Sequence, residues 1–473
     1  VRARLTALAL ALAAGAAPAG AQPNLVPPPA PATVLLVSDL HFNPFADPSI
    51  VPTLAATPAA GWRAVLQGSS VTRPSGFGAD ANYPLVQSAL NAMRSTAPHP
   101  AFVVVTGDFF GHDFDDNYAG ITGDTTQAGL SAFAARTVEF LALQMAAAYP
   151  RVPVFPSIGN NDSDCGDYTT QPGGPYLRAV AQAWAPLANR AGGAPEFAST
   201  VAVGGYYAAG LPAGAGRLVV FNSVFWSPKY EDCVTPQSDP GAQALAWLGW
   251  TLYGAQTVGE RVWAAGHIPP GADMYGTTHS GAPVCAQRVQ PMFATRYGTV
   301  FDSLMAQYGG TVPLAFTGHT HMDEFRVWSG TGGARVAGKG VPSVSPFFGN
   351  APAFLVAQLA PDGSIANYTS YVLGNLQQAS SGAAPARWAR SYDFNSAYGQ
   401  QGLNTQSLLA VAQAAQTDGP ARKQYIQSYD SGTGSARITP SNWPAYGCSM
   451  GHTSRADFTA CFCGAPGASA SPR

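Results

Sequence analysis

The sequence predicts an α/β protein, on three grounds. Short apolar runs recur along the chain, each closed by polar residues. Helical patterns separate several of them, and late in the chain the runs follow one another with only turns between, as antiparallel strands do. The fold is expected to begin at Thr33, with the first run, V-L-L-V-S-D-L-H, ending at His41. That run is followed by Phe102 to Asp108, Val152 to Asp162, Arg217 to Ser223, Arg261 to His267 and Pro313 to His321. Helical spacing predicts helices over Pro84 to Arg94, Gly129 to Tyr149 and Ala242 to Tyr253. Beyond the sixth run, F-R-V-W, then A-R-V-A-G-K-G-V-P-S-V, then the stretch from Phe354 to Leu373 read as antiparallel strands of a second sheet, with a D-G turn at Asp362 and Gly363. From Gly374 onward the pattern is that of a mostly helical, cysteine-containing appendage closed by a disulfide.

The amino end has a different grammar. Arg2 and Arg4 precede an apolar run and the small residues Ala19, Gly20 and Ala21, which predicts a cleaved signal peptide over 1–21 and a secreted or periplasmic protein. A proline- and alanine-rich linker over 22–32 leads into a catalytic region over 33–373, with the helical region over 374–473. Charged residues are only 11% of the chain and the formal net charge is −2, so no basic surface points to nucleic acid and no stretch is long and apolar enough to span a membrane. The even set of six cysteines, Cys165, Cys233, Cys285, Cys448, Cys461 and Cys463, in an exported chain predicts disulfides rather than metal thiolates, with fifteen pairings open.

The polar caps of the runs carry the chemistry. Hydrolysing a phosphoester near neutral pH requires a strengthened water nucleophile and neutralised phosphoryl oxygens, and two cations about 3.5 to 4 Å apart supply both. Such cations take carboxylate, imidazole and amide-oxygen ligands. Asp39 and His41 alternate along a strand end and are expected on one side of it. Asp108 follows a glycine and can bridge; Asn160 offers an uncharged oxygen; His267, His319 and His321 complete two ligand shells. One such fragment occurs by chance in many chains, but all of them in order, each after a strand pattern, do not. These ligands suit zinc first, and manganese or iron as well. Of the other histidines, His99 and His452 read as surface residues, and His279 falls in the loop after His267. Trp247 and Trp250 are expected in the core, and the aromatics from Phe225 to Tyr230 at a strand end that can border the cleft.

In that order, D-L-H, G-D-F-F-G-H, G-N-N-D, G-H and G-H-T-H resemble the calcineurin-like metallophosphoesterases. The longer strings G-H-I-P-P-G, F-T-G-H-T-H-M-D-E-F and P-S-V-S-P-F-F-G-N are similar to the acid sphingomyelinase-like phosphodiesterase branch, and the likeness runs from about Thr33 to Leu373. The resemblance implies a β-sandwich of two mixed sheets flanked by helices. It implies one metal on Asp39, His41, Asp108 and His321, and a second on Asp108, Asn160, His267 and His319. It also implies that His112 protonates the leaving group or binds phosphate, and that Cys233 pairs with Cys285 and Cys448 with Cys461, leaving Cys165 and Cys463. No saposin-like lipid-extracting module is expected, because the linker runs straight into the first strand.

Asn161 departs from the family, which usually carries histidine there. Asparagine cannot donate a proton to a leaving oxygen but can still hydrogen-bond substrate. The expected activity is hydrolysis of phosphodiesters or phosphoanhydrides in a small phosphorylated substrate: a nucleotide, polyphosphate or phospholipid headgroup. The chain is expected to act as a monomer. G-N-N-D also resembles the endopolyphosphatase offshoot, and a phosphomonoesterase is a further enzyme reading. A phosphate-binding pseudoenzyme is the rival of another class, opposed by the presence of all seven metal positions.

Overall fold

The computed structural model describes residues 32–234, 238–329, 335–434 and 437–464. The expected signal peptide, and the linker up to residue 31, lie outside the described residues. The rest folds around twelve strands: β1 (Thr33–Val37), β2 (Phe102–Val105), β3 (Val154–Pro156), β4 (Tyr207–Leu211), β5 (Gly216–Val220), β6 (Val262–Ala265), β7 (Leu314–Thr317), β8 (Phe325–Ser329), β9 (Arg335–Gly340), β10 (Ala353–Leu359), β11 (Ile365–Leu373) and β12 (Trp388–Asp393). They form two six-stranded sheets, ordered β12-β11-β10-β1-β2-β3 and β4-β5-β6-β7-β9-β8. Both are mixed. In the first, β1, β2 and β3 run parallel and the remaining pairs are antiparallel. In the second, β5, β6, β7 and β9 run parallel between antiparallel edges.

The near-continuous apolar runs exist because these strands are buried on both faces. Alternate residues point to opposite faces. In the second sheet, Leu218, Val220, Trp263, Ala265, Leu314 and Phe316 join the core shared with the first sheet. Their neighbours Val219, Val262, Ala264 and Ala315 pack instead into a second cluster. That cluster is closed by helices Pro240–Thr257 and Thr295–Tyr308, which contribute Leu245, Leu248, Leu252, Phe301 and Met305. On the first sheet, helices Tyr83–Thr96 and Gln127–Ala148 add Val86, Met93, Phe133 and Phe140 to the shared core. Trp263 is fully buried, its ring 5.5 Å from Phe102 of the first sheet and 5.6 Å from Phe316.

Several expectations are corrected. The late strands do not make a sheet of their own: β8 and β9 extend the second sheet, while β10 and β11 pair onto β1 and complete the first. β4 was not legible, because its Y-A-A-G-L is short and small-residue rich; it is an edge strand held by antiparallel pairing to β5. The region after Gly374 is helical, with helices Thr405–Ala415, Pro420–Tyr429, Trp443–Ser449 and Arg455–Gly464, but it also supplies edge strand β12, whose W-A-R-S-Y-D is too polar to read as a strand. Trp250 is not core: it is 74% exposed, whereas Trp247 is partly buried and stacks on Tyr206 at 4.6 Å.

The disulfides also differ from expectation. Cys448 bonds Cys461, but Cys233 bonds Cys165, and Cys285 bonds Cys463. The cause is local chain pairing. A bridge between Thr169 and Glu231 brings the loop after β3 beside the loop after β5, which places Cys165 next to Cys233. Cys285 opens a short helix that packs on Arg455–Gly464, the helix that carries Cys463.

Replacing Trp263 by alanine deletes the largest side chain between the sheets and should lower the free energy of unfolding by about 3–5 kcal/mol. Guanidinium unfolding with the disulfides intact measures this; a loss under about 1 kcal/mol would mean that the inter-sheet core closes over the gap.

Candidate active site

The carboxyl ends of β1, β2 and β3 meet those of β6 and β7, and the loops leaving them are laced together by backbone hydrogen bonds. Asp39 N donates to Gly107 O (3.0 Å), His41 N to Asp108 O (3.0 Å), Gly318 N to His267 O (2.9 Å) and Ser343 N to His321 O (3.2 Å). Asp39 and His41 do not come together by alternation along a strand, because β1 stops at Val37. Both residues are in the left-handed region, at φ +48° and +39°, as are Asp108, His319 and His321 at +52°, +73° and +65°. Such φ values are uncommon outside glycine, least so for Asp, Asn and His, and they cluster at functional sites. Gly107 has φ +90°, and a Cβ there would lie 2.8 Å from Gly159 N and 2.9 Å from His267 Nδ1, so no other residue fits that approach.

All seven predicted residues converge. On one side, His41 Nε2 lies 3.0 Å from His321 Nε2 and 3.8 Å from Asp39 Oδ1, and His321 Nε2 lies 3.5 Å from Asp39 Oδ1. On the other, His267 Nε2 and His319 Nδ1 lie 3.1 and 2.8 Å from Asn160 Oδ1. Asp108 Oδ2 stands between the two groups, 3.3 Å from His41 Nε2 and 3.1 Å from His267 Nε2. The tautomers suit ligation. His41 Nδ1 donates to Phe110 O (2.9 Å) and His267 Nδ1 to Thr106 O (2.7 Å), which leaves both Nε2 lone pairs facing inward. Asn160 Nδ2 donates to Asp167 Oδ1 (2.7 Å), so its amide oxygen is the atom turned to the histidines.

The electrostatics favour a cation. Asp39 and Asp108 are almost fully buried, and the ion pairs they make are all with histidines. Burial works against charge on His41 and His267, but the carboxylates around them, Asp108 foremost and then Asp39, together outweigh it and push both up to about 9. Burial likewise opposes ionisation of Asp108, and the charges of His267 and His41 overcome it, holding that carboxyl well below the usual range. His319, half-buried at the cleft, is pushed down to about 3 by loss of solvent and then by the facing His267. His321 is also held far below the ordinary imidazole range, by burial and then by His41. Without a cation, the site therefore gathers protons onto two of its histidines while two others stay neutral. The converging oxygens and imidazole nitrogens fit divalent cations better than they fit one another.

A family model described as "Calcineurin-like phosphoesterase" matches residues 32–323, which hold all of these loops. The chain belongs to this family. It is 27% identical to acid sphingomyelinase-like phosphodiesterase 3b of Mus musculus over 76% of this chain and 75% of the relative. It is 24% identical to the Homo sapiens protein of the same name, over 88% and 85%, and 26% identical to the cyclic GMP-AMP phosphodiesterase SMPDL3A of Homo sapiens, over 88% and 84%. A buried Asp and His site of the two-metal kind is typical of calcineurin-like phosphoesterases, and the clusters Asp39, His41, His321 and Asp39, Asp108, His267 are the form it takes here.

Around these ligand loops, residues that the sequence singled out stand beside others that it did not. His112 is one-fifth exposed; its Nδ1 and backbone N both donate to Asp80, at 2.9 and 2.7 Å, and its ring stacks between His41 at 4.4 Å and Phe347 at 3.9 Å. Asp80 lies in a loop just before the helix capped by Asn82, where nothing in the pattern distinguishes it. Tyr168 OH is 3.4 Å from His319 Nε2. Behind the G-H-T-H turn, Thr320 Oγ1 donates to Glu324 Oε1 (3.3 Å), which Arg326 Nη2 pairs at 3.0 Å. The fourth run ends in no ligand: Ser223 Oγ accepts instead from His267 N and Ile268 N. Asn161 lies on the cleft floor with its backbone N and its Nδ2 both donating to Asp108, at 2.9 and 3.0 Å.

The cleft above the site encloses about 770 Å³. His279 lines it, as do Lys229 from the F-W-S-P-K-Y segment and several residues beyond 428; His99 and His452 are exposed. Asp162, in the G-N-N-D string, is fully buried and accepts from Phe109 N (2.7 Å) and Gly159 N (2.8 Å), locking the Asp108 and Asn160 loops together. Asp162→Ala should cost about 1–3 kcal/mol for each amide left unpaired. Thermal unfolding of the metal-stripped protein reads this loss, and an unchanged melting temperature would show that the loops hold without the carboxylate.

Proposed function

We propose that this chain is an exported two-metal hydrolase of phosphodiester or phosphoanhydride bonds. The observation that carries the reading is the placement of Asp108 Oδ2 between the two ligand groups, within 3.3 Å of a histidine of each. Asp39, His41, Asp108 and His321 would hold one cation, and Asp108, Asn160, His267 and His319 the other, with zinc, manganese or iron suited to that donor set. When bound, the pair supplies a stronger water nucleophile and neutralises the phosphoryl oxygens. Three disulfides support residence in an oxidising compartment, in keeping with the signal-peptide pattern expected from the sequence. The phosphodiesterase names of the relatives support a diester over a monoester.

The protein's own residues complete the reaction. Asp80 holds the Nδ1 proton of His112, so a protonated His112 presents its Nε2 proton to the leaving oxygen as water adds to phosphorus and the ester P–O bond breaks. Asn161 provides no second acid. Its side-chain amide carries two hydrogens; Asp108 takes one, and the other can meet a phosphoryl oxygen. With a single acid, substrates whose leaving group needs little protonation are favoured, which places phosphoanhydrides ahead of lipid alkoxides.

The test is product release by the metal-loaded protein, with and without chelator, from an aryl diester, an aryl monoester, ATP and polyphosphate. Chelator-sensitive turnover of the diester or the anhydrides is expected. Persistent ligand binding without turnover would point instead to a binding protein. His112→Ala should lower kcat about 10²- to 10⁴-fold on an alkyl diester and far less on an aryl one, with Asp80→Asn moving the same ratio in the same direction. Equal loss on both substrates would remove His112 from the acid role.

Cation binding should also be pH-dependent. His41 and His267 keep their protons to about 9 in the metal-free site, and ligation requires neutral imidazoles, so apparent affinity should rise from pH 6 toward 9 and binding at pH 7 should release protons. Titration calorimetry in buffers of different ionisation enthalpy detects that release; identical heats in all buffers would contradict it.

A further inference from the structure

Two basic side chains line the cleft among its described residues, Lys229 and Arg437, and they stand by different ligand groups. Lys229 Nζ lies 5.0 Å above the Tyr168 ring, whose hydroxyl meets His319. Arg437 Nη2 donates to the carbonyl of Phe348. The Phe348 ring meets His321 at 4.6 Å and His112 at 5.7 Å. Arg437 is therefore placed beyond His112, on the side where that residue, as the proposed acid, would meet a leaving group.

The arginine is positioned but unspent. Asn442 Nδ2 donates to the Arg437 carbonyl (2.9 Å), and Asn442 Oδ1 accepts from Thr439 N (2.7 Å), which fixes the segment that carries it. Its Nε is buried without a hydrogen-bond partner, and among the described residues no carboxylate forms an ion pair with it. A planar cation held in this way, facing a cleft, recognises phosphate oxygens.

We infer that Arg437 reads a negative charge carried by the leaving group, so that this site prefers substrates whose leaving group is itself a phosphate or polyphosphate. The inference rests on the two-metal hydrolase reading. In the reaction, water adds to the phosphorus at the metal site, the bridging P–O bond breaks, and its electron pair departs on an oxygen of the leaving phosphate. Arg437 binds that phosphate before and after the bond breaks. The segment carrying the arginine lies beyond residue 373, so the C-terminal region would set substrate choice while the strand-end loops do the chemistry.

The test compares ATP, in which either cleavage expels a phosphorylated group, with bis(p-nitrophenyl) phosphate, in which the leaving group carries no phosphate. Full-length metal-loaded protein is used as wild type and as Arg437→Ala, Arg437→Gln and Arg437→Lys. The alanine and glutamine variants should lose about ten- to a hundredfold in kcat/KM for ATP while the diester changes by about fivefold or less. The lysine variant should keep part of the preference. Added salt should erode the preference for ATP in the wild type more than in the alanine variant.

A glutamine variant with the wild-type ratio would overturn the inference, because the side chain would then serve only to hold Phe348. Equal losses on both substrates, or none, would overturn it as well. Wild-type protein without chelator-sensitive turnover of either substrate would instead bring down the two-metal reading beneath it.

Discussion

Two carboxylates, Asp39 and Asp108, are held in the protein interior with histidines as their ion-pair partners. An ionised carboxylate in that setting costs several kcal/mol unless positive charge lies against it. Much of the surrounding architecture serves that requirement. The imidazoles of His41 and His267 are turned inward by carbonyls that take their outer protons. The amide of Asn160 is oriented by Asp167, and the loops bearing these groups are tied to one another rather than to solvent. Both sheets contribute loops to the site. Parallel strands of each sheet end at the same place, and the ligand loops of one face those of the other.

How far the site could be read from the sequence follows from where its information lies. The seven converging residues sit directly after apolar strands, and the strand-then-ligand grammar survives without knowledge of packing. The orientation of His112 does not. Asp80 acts on His112 from a loop 32 residues earlier, and only the tertiary fold brings them together. Asp167 and Tyr168 lie just past the G-N-N-D string, in a loop whose course is set by the bridge from Thr169 to Glu231 and by the Cys165–Cys233 bond. That bond was misassigned for the same reason: pairing depends on which loops run side by side, and nothing in cysteine spacing records it.

The central runs were legible, while of the four edge strands β3 and β8 could be read and β4 and β12 could not. Central strands are buried on both faces and therefore read as unbroken apolar runs, as in β1, β2 and β7. β4 and β12 are edge strands with one open side, so their composition follows solvent more than the sheet. Sheet membership was harder still. β9 and β10 follow one another in the chain yet belong to different sheets, a crossing that local sequence does not signal.

The left-handed backbone at Asp39, His41, Asp108, His319 and His321 has an evolutionary consequence. Each of these positions is constrained twice, once by what the side chain must bind and once by which residues tolerate positive φ. If selection for catalysis were relaxed in a descendant, the second constraint would persist, and drift would be channelled toward asparagine, aspartate and glycine rather than toward the full alphabet. A lineage that abandoned turnover would thus keep a recognisable outline of the site in its backbone-permissive residues. Survival of that outline would show only that the loops still fold, while the imidazoles, which the backbone alone does not demand, would be the informative residues to watch.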